Sequence, residues 1–220
     1  MQSSRSLPVW KRPAAVRLAL ALVILVVIIA GTRFYAPGTE PSSGAVGDEN
    51  VVADPVSYAQ GVYEADVVPA ITDNAVDLPE LLEALAQDEG TADEYGFRNG
   101  GSPYSFPVRV TGTVVEGPFG EVGLEVEGLP SEVTVGVQTG PAVTGTAVRD
   151  ATGLITFEMF LNQIDFASVA TELNNRVKEN VLGVTDFDAL MGSEVTVVGA
   201  FTHDNDEHIK ITPISIEAAS

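Results

Sequence analysis

Cysteine is absent from this chain, and its absence removes disulfides, thiolate catalysis and zinc–thiolate sites together. An exported domain without bridges is held by its core alone. Cations are nearly as scarce past residue 33. Arg98, Arg109, Arg149, Arg176, Lys178 and Lys210 face 31 carboxylates, a net charge of −25. Nucleic-acid binding rests on neutralising phosphates, so nucleic acid is a poor partner. Histidine appears only twice, at 203 and 208, and no Gly-x-Ser-x-Gly elbow exists, which leaves little for a serine triad. Paired carboxylates serve glycoside hydrolysis, but among so many acids no pair stands out. Gly100-Gly101-Ser102 lacks the lysine and spacing of a phosphate loop. No fixed-period repeat is visible. These absences point away from an enzyme and imply no cofactor.

What the chain does have is one long apolar run. Leu18 to Thr32 is fifteen residues without a charge, preceded by Arg5, Lys11, Arg12 and Arg17 and followed by Arg33. A spanning helix needs about 17–25 largely apolar residues, and residues 13–32 reach that length if Arg17 bends back to the headgroups. Basic flanks stay cytoplasmic. The expectation is a cytoplasmic N-terminus over 1–12, a single-pass signal-anchor over 13–32 and an exported remainder in the cell membrane. Ala30-Gly31-Thr32 offers small residues for signal cleavage, against which stand bulky Ile28, Ile29, Phe34 and Tyr35. Residues 33–54, rich in Pro, Gly, Ser and acid, read as a flexible linker.

Beyond the linker two kinds of periodicity follow. Asp54 and Pro55 start a helix carrying Val56, Ala59, Val62, Tyr63 and Val67 at helical spacing. A second is capped by Asp77 and carries Leu78, Leu81, Leu82 and Leu85. Residues 55–100 therefore form a small helical subdomain whose leucines need a partner surface. From Ser105 the period changes to two. Phe106 to Val114, Val122 to Val126 and Val133 to Val137 read as three strands, and Ala142 to Arg149 as an extended or irregular piece. A helical insertion at about 156–182 follows, with Asp165 capping its main helix and Phe166, Val169, Ala170, Leu173, Val177 and Val181 on one stripe. Strands at Glu194 to Phe201 and Ile209 to Ile216 finish the chain, Pro213 marking an edge or bulge. Asp186 reads as the cap of a short helix over Phe187 to Met191. Three strands, a helix and two strands is the order of an OB-type barrel. The fold class is α+β: an N-terminal transmembrane helix, a helical subdomain, and over 101–220 an OB-like five-stranded barrel with a helix between strands three and four. An open α+β sandwich shares the pattern.

Three blocks stand out in series: Tyr95-Gly96-x-Arg98-x-Gly100-Gly101-Ser102-Pro103-Tyr104-Ser105-Phe106, Val137-Gln138-x-Gly140-Pro141 with Gly145-Thr146-Ala147-x-Arg149-Asp150, and Ile155-x-Phe157-x-x-Phe160-x-Asn162-Gln163-Ile164. In this order they resemble the DUF2291 family of predicted periplasmic lipoproteins. The resemblance implies a helical domain beside an OB-like β domain. It further implies frequent gene proximity to ABC-type sugar importers, with no established activity. The family commonly carries a lipobox cysteine, which this chain replaces with Ala30-Gly31-Thr32-Arg33.

Two groups of candidate residues emerge. Arg98, Tyr104, Arg149, Asn162 and Gln163 could form a shallow polar surface contacting a sugar or a partner protein, or could serve structure: Arg149 as a fork pinning the helical connection, Asn162 and Gln163 satisfying backbone groups. If Asn205-Asp206 centres a two-residue turn, His203 and His208 face each other and could hold a divalent metal, the alternative being a charged turn. The function expected is that of a non-enzymatic, membrane-anchored extracytoplasmic accessory protein. Its partner would be an ABC sugar permease or its solute-binding protein. A ligand-binding module for a saccharide or divalent metal is the alternative.

Overall fold

Alternation along Ser105–Glu116 sends Phe106, Val108, Val110 and Val114 inward and leaves Arg109 and Thr111 outward. That strand is the first of a closed barrel. A computed structural model describes residues 51–88, 90–205 and 207–219, with 49–220 forming one compact unit. The segment expected to span the membrane lies outside the described residues. Among the described residues no helix is long and apolar enough to cross a membrane.

In chain order the elements begin with α1 (Pro55–Val62), a π-helical turn (Tyr63–Val67) and α2 (Val68–Asn74). Then come β1 (Val76–Asp77), α3 (Leu78–Gln87) and α4 (Thr91–Tyr95). The barrel strands β2 (Ser105–Glu116), β3 (Glu121–Glu125) and β4 (Thr134–Gln138) follow, then α5 (Ala147–Asp150) and α6 (Gln163–Asn180). α7 (Phe187–Leu190), β5 (Glu194–Thr202) and β6 (His208–Ala218) complete the chain. β2 pairs antiparallel with β3 at Thr113↔Glu125 and with β5 from Ser105↔Thr202 to Thr113↔Glu194. β3 pairs with β4, β4 runs parallel to β6, and β6 returns to β5. The ring β2-β3-β4-β6-β5 closes on itself, which removes the exposed edges of an open sandwich. All five expected strands are present.

Two cores result. Inside the barrel lie Phe106, Val108, Val110, Leu124, Val135, Val137, Val195, Val197, Phe201, Ile209 and Ile211. Leu78 and Leu81 of α3 belong to the same core, so the leucines of the helical subdomain find their partner surface at the barrel. Outside, Val198, Ala200 and Ile214 support a helical layer in which Ala59, Tyr63, Val67 and Ile71 meet Phe166, Val169, Leu173 and Val177. β5 thus serves both cores by strict alternation. At Val198/Gly199 the register slips against Pro213, the expected bulge. A Cβ at Gly199 would run into the Thr212 carbonyl, so no side chain fits there.

Local corrections accompany the agreement. Asp54 caps α1, its carboxylate accepting from the Val56 and Ser57 N–H groups at 3.1 Å. Asp186 caps α7 through the Ala189 N–H. Asp77 stands at the N-cap position of α3 as expected, but its side chain makes no capping hydrogen bond; it also lies in β1, which pairs parallel to β2 at Val108 and Arg109. The cap of α6 is Asn162, not Asp165: Asn162 Oδ1 accepts from the N–H groups of Ile164 and Asp165 at 2.9 Å. An asparagine set back in extended conformation reaches those donors, whereas Asp165 is already inside the first turn. Ala142 to Arg149 is not extended throughout, because Ala147–Asp150 makes a helical turn.

Candidate functional site

Arg149 rises from the single turn of α5 into the base of α6 and is 6% exposed. Its Nε and one terminal nitrogen donate to both carboxylate oxygens of Asp150 at 2.7 and 3.0 Å, and its other terminal nitrogen donates to the Phe166 carbonyl at 3.0 Å. The guanidinium lies 3.5 Å over the Phe166 ring. Asp150, 3% exposed, also accepts from the Asn99 amide at 2.8 Å. A buried charge needs such compensation on every side. This node ties the loop before β2, the turn of α5 and the first turn of α6 into one block.

The other expected binding residues divide around it. Gln163 and Arg149 line a cavity of about 400 Å³ with Asn99, Phe157 and Phe166. Asn162 is spent on the cap of α6. Arg98 stacks over the Tyr104 ring at 4.4 Å, and the Tyr104 hydroxyl donates to the Asp93 carboxylate. That bond, with a lesser contribution from burial, raises the phenol above its ordinary pKa. The five residues therefore serve three local purposes.

The histidines also part company. β5 ends at Thr202 and β6 begins at His208, so the connection is longer than a two-residue turn. The Asn205 side chain accepts from the Glu207 and His208 N–H groups and shapes that loop. The His203 ring sits edge-on to Phe106 and Phe201, and the His203 backbone N–H donates to the Tyr104 carbonyl. His208 lies on β6, Nδ1 at 2.9 Å from the Thr134 hydroxyl and Nε2 at 2.9 Å from Glu121 Oε2. Both its ring nitrogens are engaged, and a metal would have to displace one contact. Among the described residues no group of three or more His, Cys, Asp or Glu side chains is placed to hold a metal ion.

Two larger concavities flank the β3–β4 connection. One, of about 680 Å³, runs over the sheet from Thr113 and Glu125 to Thr134 and His208. Gly136 makes room for the Glu121–His208 bond beside it, since a Cβ there would collide with the Glu121 carboxylate. The other, of about 850 Å³, is a groove between α3 and the β3–β4 connection. Pro79, Leu82, Leu85, Leu129, Pro130 and Val133 give it an apolar lining, with Glu80, Glu83 and His203 around them. The leucine stripe of α3 was legible in the sequence. The opposing wall was not, because Gly128-Leu129-Pro130 reads only as a turn.

A match to the family model of DUF2291, described as predicted periplasmic lipoprotein, covers residues 22–217. The chain belongs to the DUF2291 family. Membership points to the cell envelope. No curated protein matches. Among solved structures, the chain is similar to an OB-fold protein from Thermotoga maritima, with a TM-score of 0.60 and 24% identity. The match covers 76% of this chain and 98% of that one. It shows the fold: an α+β protein built on a closed five-stranded OB barrel.

Proposed function

We propose that this DUF2291 protein is a non-enzymatic extracytoplasmic accessory protein, held at the membrane by residues 13–32, that docks a component of an ABC-type sugar uptake system. The groove beside α3 carries the reading. An apolar trough of about 850 Å³ rimmed by carboxylates suits a partner segment presenting apolar side chains between basic ones. Among the described residues the most deeply buried charges, Arg149 and Asp150, are bonded to each other, to the Phe166 carbonyl and to the Asn99 amide, which leaves them to stability rather than chemistry. Confinement near the membrane raises the local concentration of a membrane partner, so modest affinity is enough. Affinity purification of the full chain from native membranes tests this. Recovery of the permease or its solute-binding protein, with slowed sugar uptake on gene deletion, is the expected result. Neither complex nor transport defect would remove the proposal.

A second reading rests on the sheet-face cavity beside Glu121 and His208. OB folds bind oligosaccharides on this side of the barrel, so a saccharide is its natural ligand, with a divalent metal the lesser option. Calorimetry against sugars and divalent metals separates the two readings: saturable heat lost on Thr134→Ala supports the ligand module, and none in either titration removes it.

A further inference from the structure

Half of the eight exposed large apolar side chains among the described residues fall between residues 154 and 164. Leu161 is 63% and Ile164 78% exposed, with Leu154 and Phe157 nearby in sequence at 47% and 39%. The same stretch is where the chain from the N-terminal side joins the domain. The Val52 N–H donates to the Met159 carbonyl at 2.9 Å, two residues before Leu161. Residues 33–50 separate this junction from the predicted spanning segment. Eighteen residues of chain, whatever their conformation, reach at most about 60–65 Å, which bounds how far from the predicted span the domain is entered.

We propose that Leu161 and Ile164, with Phe157, dip into the surface of a lipid bilayer with neutral headgroups. The inference rests on the anchored reading above and adds which face of the domain meets the membrane. Leucine and isoleucine have no polar tip, and leucine is under-represented among the anchors of protein interfaces. Fluid hydrocarbon needs no complementary shape, so two protruding aliphatic residues beside a helix cap suit it. Glu158, Asp165 and the net charge of −25 oppose anionic lipid, which selects neutral headgroups. Two or three side chains alone hold weakly, and tethering makes such contact persistent.

The cysteine-free sequence makes the test direct. Single cysteines replace Leu161, Ile164 or Val184 in the full chain, are labelled with an environment-sensitive fluorophore, and the protein is reconstituted into phosphatidylcholine vesicles. Val184 is 77% exposed but follows the far end of α6, whose 18 residues span about 27 Å. The expected result is blue-shifted emission, quenched by bilayer-embedded quenchers, at 161 and 164 and aqueous emission at 184. Aqueous emission at all three sites on vesicle-bound protein overturns the membrane contact and leaves the anchor standing. Shielding that develops only after a purified permease is added overturns lipid in favour of a protein surface. Failure of the chain to float with vesicles overturns the anchor and the proposal with it. Unchanged circular dichroism of each variant excludes misfolding as the cause.

Discussion

Replacing Asp150 by alanine leaves the Arg149 guanidinium buried with only the Phe166 carbonyl and ring as partners. Two charge-assisted bonds and the acceptor for Asn99 disappear at once. Removing one member of a buried ion pair costs about 3–5 kcal/mol. The lost Asn99 bond adds about 1 kcal/mol where it cannot be remade. A loss of about 4 kcal/mol is a large share of the 5–15 kcal/mol that holds a typical domain. Urea unfolding of residues 49–220, with a slope of about 2 kcal/mol per molar, should show the midpoint falling by about 2 M at unchanged slope. The double variant Arg149→Met/Asp150→Leu removes both charges and should recover most of that loss, because no stranded charge remains. A midpoint shift below about 0.5 M for Asp150→Ala, or a double variant no better than the single one, would refute the structural role of the node.

Asn162→Ala should cost about 1 kcal/mol by removing the acceptor for two helix N–H groups, and Asp165→Ala distinctly less; equal losses in thermal melts would contradict the assignment of the cap. Gly199→Ala should destabilise by 2 kcal/mol or more, at about the upper end of ordinary substitutions, since its Cβ meets backbone. Gly136→Ala meets side chains, the ends of Glu121 and His208, rather than backbone, and should cost less than about 1 kcal/mol while displacing the Glu121–His208 bond, a contrast readable by urea unfolding and histidine NMR shifts. Among the described residues the buried Tyr63 hydroxyl has no hydrogen-bond partner, and burial, with Glu64 adding, pushes its pKa up to about 12. The unfolded phenol ionises near the ordinary value of about 10, so stability is full below that pH and falls as pH climbs towards 12. Tyr63→Phe should flatten that alkaline decline and leave neutral-pH stability unchanged or higher; a loss above about 1 kcal/mol at pH 7 would show that the hydroxyl has a partner.

Strands were readable because each inward valine or isoleucine is separated by one outward residue, as in Val195, Val197 and Phe201 against Thr196 and Thr202. Their order followed from the helix lying between the third and fourth. What the pattern did not carry was pairing that depends on two residues alone. Val76 and Asp77 form β1 only because the stretch of β2 at Val108 and Arg109, which β3 does not reach, is beside them. The choice between Asn162 and Asp165 as cap turned on backbone geometry that both residue types permit. For the site, the leucine stripe of α3 and the Arg149-Asp150 pair stood out in the sequence. Which wall faces the stripe, and that His208 turns to Glu121 across β4 rather than to His203, are outcomes of barrel closure. Such contacts join residues more than forty positions apart, where no periodicity reaches.

The docking role of the groove is tested most directly by a photo-crosslinking residue at position 85, within the apolar lining of α3, in intact membranes. An adduct with the sugar permease or its solute-binding protein, suppressed by Leu82→Glu and absent from a probe at exposed Glu179, is what the account predicts. No such adduct from position 85, 129 or 133, under conditions where the protein is present and folded, would contradict it.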